Sequence, residues 1–106
     1  MKTLTNTLLR LIEIASIIGL NDNDVKNAKD YLMHNEFGLC YDTIITQIYE
    51  YDIEIDIKFY QFITKIGNLL NLTHENYFFM KELISDENNI PKSIKSELAK
   101  IIASLE

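Results

Sequence analysis

Residues 30–56 read DYLMHNEFGLCYDTIITQIYEYDIEID. Within this stretch Phe37, Cys40, Ile44, Ile48 and Tyr51 recur at steps of three or four. That spacing is one stripe of an α-helix. It predicts a third helix from Glu36 to Tyr51, with Asn35 as its cap and those five residues facing a core. Asp42, Thr46, Tyr49 and Glu50 fall together on another face, which should be wet. Gly38 lies in the first turn, where it costs about 1 kcal/mol against Ala. Close approach of the first or second helix is the physical reason to expect it there. The tail Asp52–Asp56, DIEID, alternates polar and apolar residues, but no second strand pattern exists to pair with it. It therefore reads as an extended linker.

Working outward, the segment Thr3–Ile18 places Leu4, Leu8, Leu11, Ala15 and Ile18 at helical spacing, with Leu9, Ile12 and Ile14 widening the stripe. Gly19 follows, where a helix end favours a left-handed residue. Asn21, Asp22 and Asn23 offer an N-cap for a second helix over Asp24–His34, with Val25, Ala28 and Leu32 on one side. On the far side, Asp56 can cap a fourth helix over Ile57–Leu70. Its stripe is Phe59, Phe62, Ile63, Ile66 and Leu70, and Gly67 within it again suggests close packing. Thr73 is the candidate cap of a fifth helix over His74–Ile84, with Tyr77, Met80, Leu83 and Ile84 inward. A polar loop, Ser85–Asn89, leads to Pro91, which a first helical turn tolerates. A sixth helix then carries Ile94, Leu98, Ile101 and Leu105. The expectation is an all-α fold, a single-domain bundle of five to six short helices spanning residues 1–106. Leu8, Leu11, Ile44, Ile48, Phe62, Ile66 and Leu98 are the expected core.

The chain carries a net charge of −6, and the charge is not spread evenly. Residues 30–56 hold seven carboxylates, Asp30, Glu36, Asp42, Glu50, Asp52, Glu54 and Asp56, with no Lys or Arg. Residues 1–29 sum to +1 and residues 57–106 to zero. The same acidic stretch holds four of the six tyrosines, Tyr31, Tyr41, Tyr49 and Tyr51. An acidic chain is poorly suited to bind nucleic acid or an anionic membrane, because phosphate binding needs clustered bases. One cysteine, Cys40, excludes an intramolecular disulfide and fits a reducing compartment. The first residues lack an unbroken apolar run, since Thr5, Asn6, Thr7, Arg10 and Glu13 interrupt it, so no signal peptide is expected. With no apolar stretch near membrane-spanning length, a soluble, cytoplasmic protein is the expectation.

Catalytic signatures are weak. His34 and His74 belong to no motif and read as surface or cap residues. Cys40 lies on the core stripe, where a buried, inert thiol is the natural reading. The three glycines are dispersed, so no phosphate loop exists. The acids at Asp22 and Asp24 lack the 12-residue frame and closing Glu of a calcium loop. The chain is expected to be no enzyme and to carry no cofactor or metal.

The acidic stretch has a bland reading, a solvated face that keeps the protein in solution. Two features point further. Carboxylates without compensating bases repel one another, so stability does not call for them. Interleaved tyrosines suit an interface, because the ring buries area while its hydroxyl stays wet. Acids with aromatic anchors fit a basic protein partner, with charge speeding capture and aromatics slowing release.

The string Asn35-Glu36-Phe37-Gly38-Leu39-Cys40-Tyr41-Asp42, followed by Gln47-Ile48-Tyr49-Glu50-Tyr51-Asp52, resembles the MafI-type immunity proteins and related immunity proteins of contact-dependent inhibition systems. Their pattern runs N-E-aromatic-G-x-A-x-[DE], then Q-L-[YF]-[ED], in the same order. Asp42 and Gln47 match it, whereas Cys40 stands where the family carries a small residue such as Ala. The likeness follows helix order over most of the chain, and its specific part lies within residues 35–52. The resemblance implies a small helical bacterial protein that binds and neutralises the toxin domain delivered by a neighbouring cell, commonly a nuclease. On that reading Asp42, Tyr49, Glu50, Asp52 and Glu54 contact a basic toxin domain, the acids standing where phosphates would. The alternative is an acidic adapter or nucleic-acid mimic that regulates a host nucleic-acid-binding protein.

Overall fold

A computed structural model describes residues 2–88 and 90–105. The fold is all-α. Five α-helices run α1 (Lys2–Ile17), α2 (Asp22–Met33), α3 (Phe37–Glu50), α4 (Ile57–Leu69) and α5 (Lys92–Leu105). Two 3-10 segments, His74–Asn76 and Phe78–Leu83, lie between α4 and α5. The described residues contain no strand. The chain divides into two compact units, residues 1–53 and 54–106.

In the first unit each of α1, α2 and α3 packs on the other two. The apolar stripes are what they pack with: Leu4, Leu8, Leu11, Ile12, Ile14 and Ala15 from α1, Val25, Ala28 and Leu32 from α2, and Cys40, Ile44, Ile45 and Ile48 from α3 are all buried. Burying such an aliphatic side chain contributes about 1.5–3 kcal/mol, and packing of this kind holds helices that are marginal alone.

The helix ends share one device. Gly19, Asn35, Asp52 and Asn71 each follow a helix and adopt positive φ, at 120°, 58°, 53° and 60°. At each, the next amide reaches back five residues, as in Leu20 N–H to the Ala15 carbonyl and Ile53 N–H to the Ile48 carbonyl. The positive-φ residue itself donates three residues back, as Asn35 does to Leu32 and Asn71 to Asn68. These paired bonds are Schellman closures, which satisfy carbonyls the helix leaves open. Gly, Asn and Asp enter the left-handed region at least cost, which is why these four residues stop α1 to α4. Asn35 is thus the stop of α2. It does not cap α3, whose N-cap is Glu36 with no side-chain bond. Gly38 is likewise not a close-packing site, since a Cβ there would meet nothing within 4 Å.

The second unit begins with the extended segment before α4. Asp56, itself buried, caps α4 by accepting from the Phe59 N–H at 2.8 Å. Phe59, Phe62, Ile63 and Ile66 form its buried stripe, and α5 packs against α4. The segment DIEID is more than a linker. Ile55 is fully buried and forms an isolated parallel bridge with Ile84, its N–H donating to Leu83 and its carbonyl accepting from Ser85, both at 2.9 Å. The expected fifth α-helix is instead the pair of 3-10 segments, broken at Tyr77 by φ −143°. Tyr77, Met80 and Leu83 are inward as expected, while Ile84 is only half-buried. In α5 the inward residue near the end is Ile102, while Ile101 and Leu105 are half-buried. All seven expected core residues are fully buried. Among the described residues no helix is long and apolar enough to cross a membrane.

Candidate partner-binding surface

α3 is a two-sided helix. Cys40, Tyr41, Ile44, Ile45 and Ile48 close its inner side. Its other side carries Leu39, Asp42, Thr46, Tyr49 and Glu50 in consecutive turns, spanning about 16 Å at 1.5 Å per residue. Asp42 and Glu50 are exposed, while Thr46 and Tyr49 are half-buried. Leu39 is 49% exposed, a large apolar side chain left open beside these acids. The helical repeat places Leu39 three residues before Asp42, so its position on the wet face was legible in the sequence. It was passed over as a site residue.

Asp52 is exposed and does structural work as well, because its positive φ closes α3. Glu54 is exposed and opens the second unit. No ion pair engages Asp42, Glu50, Asp52 or Glu54 among the described residues. Of the seven acids in the stretch, Asp56 is consumed as a buried cap, and the other six reach solvent. The first of them, Asp30, lies near the end of α2 beside His34. The His34 ring nitrogen Nδ1 sits 2.8 Å from the Asp30 carbonyl oxygen and 4.0 Å from its carboxylate. The carbonyl contact, then the Asp30 charge, raise the His34 pKa above its ordinary value, with Glu36 adding in the same direction.

The tyrosines divide by role. Tyr41 is core, 1% exposed. Tyr51, expected in the core stripe, is 58% exposed. Tyr51 is the C-cap of α3, its N–H still donating to the Gln47 carbonyl, and its side chain stands open at the helix end. Tyr49 and Tyr31 are half-buried. Tyr51 is therefore the most open aromatic of the stretch, one that sequence periodicity assigned to the wrong side.

Gln47 has a different task. Its Nε2 donates to the Asp24 carboxylate at 3.1 Å, and Asn21 Nδ2 donates to the same oxygen at 2.7 Å. The Asp24 N–H in turn donates to Asn21 Oδ1 at 2.9 Å. A carboxylate buried without partners is costly, so these bonds satisfy Asp24 and tie the start of α2 to α3. Gln47 is a fold residue. Cys40 is fully buried, and desolvation pushes its thiol up to about 11, which suppresses the reactive thiolate. Among the described residues no group of three His, Cys, Asp or Glu side chains is placed to hold a metal ion.

No family model, curated protein or solved structure matches this chain.

Proposed function

We propose that this chain is an immunity protein, a non-catalytic inhibitor that binds the toxin domain of a bacterial contact-dependent system, a basic domain and in the simplest case a nuclease. The observation that carries the reading is the open side of α3 and its exit. Asp42, Glu50 and Asp52 are exposed and make no ion pair among the described residues, and Leu39 and Tyr51 stand open among them. The resemblance within residues 35–52 supports the same reading. Acids that make no ion pair among the described residues are available to a basic surface. Tyr49 and Tyr51 supply ring area that a partner can cover, and Glu54, next along the chain, adds a further exposed charge. The protein acts in the cytoplasm of the cell it protects, without cofactor, metal, membrane or direct nucleic-acid contact.

The test is a mixing experiment. Any toxin-like domain encoded beside this gene is purified, and its activity is measured against increasing amounts of this chain. Stoichiometric inhibition, with a complex stable to gel filtration, is the expected outcome. Full toxin activity at excess of this chain would overturn the proposal. Recovery of a host nucleic-acid-binding protein as the stoichiometric partner would overturn it too, in favour of the adapter reading.

A further inference from the structure

We draw no further inference here: the strongest candidate, the groove of about 440 Å³ along α2 lined by Val25, Lys26, Lys29 and Met33 between Asp22 and Asp30, is an open surface of mixed charge, and nothing in the structure shows what covers it.

Discussion

The two sides of α3 differ in what they owe to the fold. On the inner side, Tyr41, Ile44, Ile45 and Ile48 are buried against neighbouring helices, and each residue is held by what surrounds it. On the outer side, Asp42 and Glu50 are exposed and make no ion pair among the described residues. Surface carboxylates of this kind contribute little to stability. The comparison teaches that stability and charge are separable along this helix, so substitutions on the two sides should move different observables.

The largest effect is expected at Ile48. Ile48→Ala should lower unfolding free energy by roughly 2–5 kcal/mol, the cost of truncating a fully buried aliphatic residue. Chemical denaturation checks it, and a loss below about 1 kcal/mol, well under that range, would break the inner-side assignment. Gln47→Ala comes next. It removes one of the two side-chain donors to the Asp24 carboxylate, so a loss of roughly 1–3 kcal/mol is expected. Association with a basic partner should be unchanged, and a binding defect at full stability would place Gln47 on the interface instead. Asp52 sharpens the comparison, because it serves both sides. Asp52→Ala should cost about 1 kcal/mol by placing an ordinary side chain at positive φ. Asp52→Asn should keep the closure while removing the charge, and equal stability of the two variants would contradict the helix-stop role.

Much of the fold was legible because each helix of the first unit combines a 3.6-residue stripe with a stop residue. The stripe over Leu4–Ile18 and the stop at Gly19 were read as they stand. Asn35 was misread because Asn serves equally as an N-cap and as a left-handed stop, and the choice depends on which neighbouring helix needs it. The second unit was harder. Tyr77, Met80 and Leu83 lie at steps of three, a spacing compatible with both an α-helix and a 3-10 helix. The consecutive aromatics Tyr77, Phe78 and Phe79 lose rotamer freedom in an α-helix, and the tighter form prevails. The bridge between Ile55 and Ile84 joins single residues 29 positions apart, too short a pairing for any periodicity to announce.

The candidate surface was legible in its charge and less so in its aromatics. Asp42 and Glu50 were placed correctly because both sit inside a well-phased helix. Tyr51 was not: it is the C-cap of α3, and the stripe's spacing carries no sign that a side chain at the helix end is left open. Gln47 drew attention through its match to a family pattern, and the structure assigns it to the cross-helix bond with Asp24. That leaves the exposed acids, with Leu39, Tyr49 and Tyr51 beside them, as the residues on which the functional reading turns.

The most direct measurement is the association rate with the proposed partner, a basic toxin domain, at low and at physiological salt. Three forms are compared: wild type, the triple variant Glu50→Gln, Asp52→Asn, Glu54→Gln, and a control of equal charge change, Glu75→Gln, Asp86→Asn, Glu87→Gln. Exposed charges act through the solvent and are screened within about 8 Å at physiological salt, so steering depends on where they sit. The account predicts that the first triple slows association and flattens its salt dependence, while the control does neither. Tyr49→Ala, measured alongside, should instead raise the dissociation rate. Equal slowing by the two triple variants would show that the acids act only through net charge, and the α3 surface would lose its claim as the binding site.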